Sequence, residues 1–496
     1  MADDSFSKAI AWLGEQQQEE NRRRETSRAD LLTTFVLTFH QEGVLHIEGI
    51  PLDATKLAFL EFLLQANSKS HSILKLELKR CDLGKTSTDV PGATMVARNS
   101  ITTIQALTRL LQSLPNLQSV DLSCNHFENN SIAQVLGALS NHKLNEFSLE
   151  DNLLQGQEGG RMIRSFLGSH PKLTYLNLSE NALTARGTLE VAAGLCEHGR
   201  IEDLDIACCE IARDDGTVWN SFGRSAFEVL VDSLLENPNL QQLRLSVAES
   251  GMDERFIFSM NGPQNEFSPL PSESGTLAIV RLLEEHPALE SLSVIQSPGF
   301  LCPDSSPALN ERFAEALGNN RTIDRFALEG CGICDETVKL VFEKALQYNP
   351  VLKHLDLLSN DLGEQGHQYL NEALPRMKHL RSLLLEGATM DNPAEFAASL
   401  KRNTSLTYVQ AIDTPDVDIT SVIDEITHRN DTMHKANNLL DDYQNGNDQI
   451  WGDALASLAR KPQGRSALFQ VLSRKLWMPS SSSKTDSRPN KRPRFA

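Results

Sequence analysis

Cys331 and Cys334 form a C-x-x-C motif, the spacing used in thiol–disulfide exchange and in half of a tetrahedral zinc site. Zinc would need two further ligands, and the sequence has no second pair at metal-binding spacing. Cys331 also occupies a position that other segments fill with asparagine, as do Cys81 and Cys209. We therefore interpret these cysteines as structural and predict no metal site.

Motifs of the common enzyme classes are missing from the sequence. There is no glycine-rich phosphate loop of the Walker type, no His-Glu-x-x-His and no Gly-x-Ser-x-Gly. The histidines are scattered, and no spacing fixes a His/Asp/Ser set. The last cysteine is Cys334, so the C-terminal region lacks a cysteine nucleophile. We expect a protein without catalytic residues and without a cofactor.

The elements that would position any site follow from an internal repeat. The repeat has a base period of about 28 residues, as in Leu117-Val120-Leu122-Asn125. It begins with an aliphatic residue, has a second aliphatic residue three positions later and a third after two more, and often continues to Asn or Cys. Aliphatic residues two apart indicate a short strand. The eleven first positions are Ile73, Leu117, Leu144, Leu173, Ile201, Leu240, Leu289, Ile323, Leu352, Leu380 and Leu406.

Helical spacing follows the strand pattern, as in Ile132-Val135-Leu136-Leu139, and Pro or Asn often precedes the next strand. These repeats resemble the ribonuclease-inhibitor-like class of leucine-rich repeat proteins over roughly residues 42–430. The resemblance implies an α/β horseshoe solenoid with parallel strands on the concave side and helices on the convex side. It implies no single activity, since relatives include inhibitors, sensors, GTPase activators and adaptors.

The ends of the chain differ from the repeats. We predict a partly disordered N-terminal extension over residues 1–28 and an N-terminal cap with a degenerate first repeat over 29–72. A solenoid of about eleven repeats spans 73–430, and a helical C-terminal cap spans 431–477. Residues 478–496 are rich in Ser and Pro and are predicted to be a disordered basic tail.

Acidic residues concentrate at the variable strand positions, which should face the concave side. We select Asp121, Glu150, Asp151, Glu180 and Asp205 as electrostatic contacts to a protein partner. A stripe of like charge favours a basic partner and disfavours nucleic acid on the solenoid. The alternative is an ordinary solvated face on a chain whose formal net charge is −19.

Four units are longer than the base period, with extra sequence between strand and helix at 85–99, 213–223, 250–275 and 298–307. Because parallel strands end at one edge, these insertions should gather on one rim, which often marks a binding face. Phe256, Phe258 and Phe267 in the third insertion are candidate apolar anchors. Packing of these rings onto the repeats is the alternative.

The sequence also gives expectations for location and assembly. It has no apolar run long enough for a signal peptide or a membrane span, so we expect an intracellular, cytoplasmic monomer that makes no membrane contact. From Arg474 onward there are seven basic residues and one acid. Lys491, Arg492 and Arg494 resemble a nuclear-import signal, and a solubilising tail is the alternative.

Two functions remain open at this point. The first is a non-catalytic scaffold that binds a protein through the concave acidic face and the insertion rim. The second is GTPase activation of the type performed by the Ran GTPase-activating protein, which shares this solenoid class and uses polar residues in its N-terminal repeats. Arg80 and Asn125 are candidates for such roles. That enzyme typically has a long acidic tail, whereas the tail here is basic.

Overall fold

The computed structural model describes residues 43–66, 70–84, 96–209, 226–246, 273–297, 300–301, 307–360, 362–385, 393–410, 421–431 and 434. Within them, twelve strands form one sheet in which every neighbouring pair is consecutive in the chain and parallel. The strands β1 to β12 are Val44–Glu48, Lys75–Lys79, Ser119–Asp121, Glu146–Ser148, Tyr175–Asn177, Asp203–Ile206, Gln242–Leu245, Ser291–Ile295, Arg325–Glu329, His354–Asp356, Ser382–Leu384 and Tyr408–Gln410.

Helices lie between the strands and pack against the preceding and following helices. The helices α1 to α11 are Ala54–Ala66, Val96–Gln112, Asn129–Leu139, Gly156–Ser169, Thr184–His198, Ala226–Leu235, Glu273–Glu285, Pro307–Asn319, Asp335–Leu340, Glu364–Ala373 and Pro393–Arg402. α9 continues as a π-helix over Val341–Leu346. Short 3₁₀ turns span Ser70–Ser72 and Leu374–Arg376, and residues 421–431 are helical.

The core runs along the whole array between strands and helices. All eleven first aliphatic positions are at most 4% exposed, and Val120, Phe147 and Leu176 from successive strands are buried beneath the sheet. In α3, Ile132, Val135, Leu136 and Leu139 are buried on one face, as their helical spacing predicts. One parallel, unclosed sheet with alternating helices is the α/β architecture of a leucine-rich repeat solenoid, which confirms the predicted fold class.

A ladder of buried side chains follows the carboxyl ends of the strands. The Asn125 side-chain amide donates to the backbone oxygens of Leu78 at 2.6 Å and Leu122 at 2.9 Å, while its oxygen accepts from the Cys81 backbone at 3.0 Å. Cys81 occupies the same position one unit earlier, and its thiol faces the Ile47 backbone oxygen at 3.5 Å. The ladder joins successive units through backbone groups that would otherwise be unsatisfied in the core.

Cys209 and Cys331 take the same ladder position, with thiols 3.0 and 3.3 Å from the backbone oxygens of Leu178 and Val294. Burial raises the pKa of the Cys331 thiol to about 12. Cys334, the other half of the C-x-x-C, is a half-buried residue 3.3 Å from the Thr337 hydroxyl. Cys81, Cys209 and Cys331 therefore take the asparagine positions of the ladder, as the repeat predicts.

A second ladder at the opposite edge was not predicted. At the ends of successive helices, a ring or amide nitrogen faces a backbone oxygen near the end of the preceding helix. His170 Nε2 lies 3.0 Å from Leu139, Asn237 Nδ2 donates to Ile201 at 2.7 Å, and Asn320 Nδ2 donates to Leu283 at 2.8 Å. Histidine and asparagine therefore both place a side-chain nitrogen against a buried backbone oxygen of a neighbouring turn. Several histidines that look scattered in sequence are parts of the scaffold.

Candidate functional site

The strand register builds the polar face of the sheet from two principal rows of side chains. One row contains Asp121, Ser148, Asn177, Asp205 and Arg244 on β3 to β7. The other row contains Ser119, Glu146, Tyr175, Asp203 and Gln242 on the same strands. Because neighbouring parallel strands lie about 4.8 Å apart, residues within a row are in contact range. The acidic residues of β3 to β6 therefore share one surface.

Asp203 and Asp205 on β6 form the centre of this surface. The pKa of Asp203 is raised to about 6, chiefly by burial and also by the Asp205 carboxylate, while Arg244 opposes the rise. Burial also raises the pKa of Asp205, again opposed by Arg244, whose Nε lies 3.5 Å from the Asp205 carboxylate. Two partly desolvated carboxylates with one arginine leave local negative charge, which a further cation would stabilise.

Several residues of the row that contains Asp121 and Asp205 also stabilise the fold. Asp121 Oδ1 accepts from the Ser123 backbone N–H at 3.0 Å, and Asp205 Oδ1 accepts from the Ala207 backbone N–H at 3.1 Å. Asn177 makes the equivalent bond to Ser179 at 3.0 Å. This bond to the residue two positions on stabilises the turn after the strand. For Asp121 and Asp205, one carboxylate oxygen is therefore already engaged by the fold.

Asp121 is partly neutralised by a basic neighbour. Lys79 Nζ on β2 lies 2.8 Å from Asp121 Oδ2, and Lys75 lies 3.0 Å from Glu77 on the same strand. His46 on β1 lies 2.6 Å from Glu77. The first strands thus present alternating charges, and the unbalanced negative charge begins at β4.

Glu150, Glu180 and Asp151 lie where the chain leaves the strands. Glu150 follows β4 and accepts from the Asn177 side-chain amide at 3.0 Å. Asp151 and Glu180 are exposed and occupy left-handed turns, with φ of 50° and 57°. Glu150 and Glu180 both raise the pKa of Asp205, so these three carboxylates lie close enough to interact.

Asp151 belongs to a separate part of this rim. Burial is the largest cause of the raised pKa of the Cys124 thiol. A hydrogen bond with Asp151 raises this pKa further, and a hydrogen bond with Arg80 lowers it. Of the five predicted acidic contacts, the structure therefore brings Glu150, Glu180 and Asp205 together. Asp121 lies beside Lys79, and Asp151 lies near Cys124 and Arg80.

The predicted apolar anchors Phe256, Phe258 and Phe267, and the tail residues Lys491, Arg492 and Arg494, lie outside the described residues. The strands β2, β6, β7 and β8 precede the four long connections, and all end at the same edge of the parallel sheet. Within the described ranges, no three His, Cys, Asp or Glu side chains are grouped as metal ligands would be. The helices in these ranges include none with the length and apolar character needed to cross a membrane.

Sequence reasoning missed two members of the site. Tyr175 and Asn177 on β5 lie between the acidic residues of β4 and β6, and burial raises the pKa of the Tyr175 phenol. The repeat predicts their strand positions, but a search for charged residues does not select them because both are uncharged. The signal was the Asn177-x-Ser179 spacing, which matches Asp121-x-Ser123 two units earlier.

Comparisons with known proteins give only matches of low identity and low TM-score. No protein-family model matches the chain, and no curated protein matches it. Among solved structures, the chain is similar to leiomodin-1 actin-binding site 2, with 21% identity over 35% of this chain and 97% of that one, at a TM-score of 0.30. The tropomodulin C-terminal domain of Caenorhabditis elegans matches with 17% identity over 33% and 98%, at 0.28. A complex of TLR13 with ssRNA13 matches with 20% identity over 60% and 37%, at 0.32.

Proposed function

We propose that this protein is a non-catalytic interaction scaffold that binds a basic protein segment on the sheet face of β4 to β6. The observation that supports the proposal is the group of Asp203, Asp205, Glu150 and Glu180, with Arg244 as the nearby cation. A lysine or arginine of a partner would relieve the repulsion among these carboxylates. The strands that precede the four long connections end at the same edge as Glu150 and Glu180, and we propose that these connections supply further contacts.

The test removes negative charge without disturbing the turn bonds. Glu150→Gln with Glu180→Gln removes two charges, and the glutamine oxygen at position 150 can still accept from Asn177. Glu158→Gln with Glu315→Gln removes two charges from exposed helix positions and is the matched control. Binding partners recovered from a lysate are identified and titrated against all three proteins at low and high salt.

We expect the first variant to bind an identified partner about three- to tenfold more weakly than wild type, which corresponds to about 0.3–0.7 kcal/mol for each of the two lost ion pairs. Wild-type binding should also weaken as salt rises. Equal binding by wild type and both variants would rule out this surface as the contact.

GTPase activation is the alternative, and Arg80 is the residue that supports it. Arg80 lies in a left-handed turn after β2, its side chain is 68% exposed, and Nη1 lies 3.4 Å from Glu48. Asn125 is fully buried, and its amide is engaged by the ladder, so partner contact would require breaking those bonds. A hydrolysis assay with a panel of small GTPases tests this function. Stimulation that disappears in Arg80→Ala would support it, and absence of stimulation would reject it.

We also propose that the chain belongs to the ribonuclease-inhibitor-like subclass, because its regular units place helices as long as Thr184–His198 between strands. For the tail, we propose nuclear import through Lys491, Arg492 and Arg494, with the protein otherwise cytoplasmic. Imaging of a fluorescent fusion with and without alanine at these three positions tests the import signal. An unchanged nuclear fraction would leave the tail as a solubilising segment.

A further inference from the structure

The last described units contain a basic pocket at the edge where the strands begin. Its volume is about 370 Å³, and its lining includes Lys353, Lys378, His379, Arg381 and His434. The described residues that line it include no aspartate or glutamate. Such a group of basic side chains is unexpected in a chain whose formal net charge is −19.

The register of the repeats explains how these cations meet. Lys353 and Arg381 directly precede β10 and β11, and the Arg381 backbone N–H donates to the Lys353 backbone oxygen at 2.7 Å. They are therefore stacked one strand spacing apart, about 4.8 Å. Three equivalent positions in earlier units are acidic, at Glu202, Glu290 and Asp324, and the other earlier positions are uncharged. Among the earlier units described, none places a basic residue in this row, and the basic pair therefore appears where the row reaches the pocket.

The pocket cations are held by neighbouring groups. Lys353 Nζ contacts Asp324 Oδ2 at 2.9 Å. A guanidinium N–H of Arg381 donates to His434 Nε2, which requires the acceptor form of that ring nitrogen. Burial lowers the pKa of His434, and Arg381 lowers it further. Burial lowers the pKa of the neighbouring His354, Arg325, Lys353 and Arg381 lower it further, and Asp324 opposes them.

We propose that this pocket binds a small phosphorylated molecule, with Lys378 and Arg381 contacting the phosphoryl oxygens and Lys353, which Asp324 holds at the wall, donating a further hydrogen bond. A phosphoryl group presents several acceptor oxygens and up to two charges, which suits a planar guanidinium beside flexible ammonium groups. The volume is in the range of small-molecule sites and exceeds that of a lone phosphate. Thr404 and Ser405 at the wall offer polar contacts to the rest of such a ligand.

Titration calorimetry of the full chain with pyrophosphate tests the proposal. The test variant is Lys353→Ala with Lys378→Ala. The matched control is Lys143→Ala with Lys172→Ala, because these exposed lysines precede strands at the same edge in earlier units. Melting curves of all proteins establish that each variant is folded, and Lys378→Ala alone serves if the double variant is not.

We expect wild type and control to bind one pyrophosphate with equal affinity and the pocket variant to bind at least tenfold more weakly. Arg381→Lys should also weaken binding, because a lysine lacks the planar pair of donors. Citrate supplies a carboxylate anion for comparison and should bind more weakly than pyrophosphate. Absence of pyrophosphate binding, equal losses in pocket and control variants, or tighter binding of citrate would each overturn the proposal.

Discussion

Asp203 and Asp205 lie two residues apart on the same face of β6, and burial raises the pKa of both carboxyls. The two residues differ in what else they contact. Asp205 accepts a backbone N–H from Ala207 at 3.1 Å and lies 3.5 Å from Arg244, so it stabilises the turn as well as the surface charge. Asp203 is therefore the residue at which the electrostatic contribution can be isolated.

We predict that Asp203→Asn stabilises the protein above pH 6. The folded-state pKa of Asp203, about 6, lies above the ordinary value of 3.8. The folded state therefore binds the proton more tightly than the unfolded state, and the wild type loses stability as pH rises from about 4 to about 6. With allowance for solvent screening, the variant should gain about 1–2 kcal/mol at pH 8.

Urea unfolding at pH 4 and pH 8 measures this effect. The variant and the wild type should differ little in unfolding free energy at pH 4, where the folded carboxyl is protonated and the unfolded carboxyl, with its ordinary pKa of 3.8, is about half protonated. A constant difference at both pH values would show that packing, and not ionisation, determines the effect at position 203.

Aliphatic spacing predicts the sheet because it records burial directly. Leu117 and Leu144 occupy equivalent positions in their units, are of one residue type and are both buried, so their order alone places β3 beside β4. The edge ladder of His286 and Asn237 could not be recognised in this way. These two residues share a hydrogen-bonding geometry and no chemical class, and that geometry becomes visible only when atoms are placed.

For the candidate site, the sequence predicts the charge and the strand position of its residues but not their contacts. The negative charge of Asp205 and its strand position are evident in the repeat. Its burial, its backbone bond to Ala207 and its pairing with Arg244 depend on the neighbouring strand. The basic pocket was missed because Lys353 and Arg381 are separated in sequence and become neighbours only through the register of β10 and β11.

The ladder predicts a pH-dependent contribution from His286. Its Nδ1 accepts from the Leu289 backbone N–H at 3.0 Å, and Nε2 faces the Asn237 backbone oxygen at 3.2 Å, an arrangement that suits the neutral ring. Burial lowers the pKa of His286 below its ordinary 6.5, opposed by its bonds to backbone oxygens. Its contribution to stability is therefore present above pH 6.5 and is lost as pH falls through the lower folded-state value.

We predict that His286→Asn keeps most of the stability at pH 7.5 and loses less than wild type at pH 5.5. Asn320 shows that asparagine makes both bonds, accepting from Ile323 at 2.7 Å and donating to Leu283 at 2.8 Å. His286→Ala should lose about 1–3 kcal/mol at pH 7.5, because backbone groups stay buried without partners. Urea unfolding at the two pH values compares the three proteins. Parallel pH profiles for wild type and His286→Asn would contradict the prediction.

The asparagine ladder predicts graded losses at position 152. The Asn152 amide donates to Leu149 at 2.9 Å and Leu122 at 3.1 Å, and its oxygen accepts from the Phe127 backbone at 3.0 Å. Asn152→Ala removes these bonds within the core and should cost about 2–4 kcal/mol. Asn152→Cys should cost less, because a thiol fills this position in other units. Unfolding free energies compare the two, and an equal loss would mean that the thiol bond contributes nothing.

Close approach of two helix backbones gives the last prediction. A Cβ added at Gly160 in α4 would lie 2.3 Å from the backbone oxygen of Gly187 in α5, whereas one added at Gly168 would meet nothing within 4 Å. Gly160→Ala must push the helices apart and should cost about 1–3 kcal/mol. Gly168→Ala in the same helix should gain about 0.5–1 kcal/mol, since it only lowers the entropy of the unfolded chain. Thermal and urea unfolding of the pair measure the difference, and a Gly160→Ala variant as stable as wild type would show that α4 and α5 are not in backbone contact.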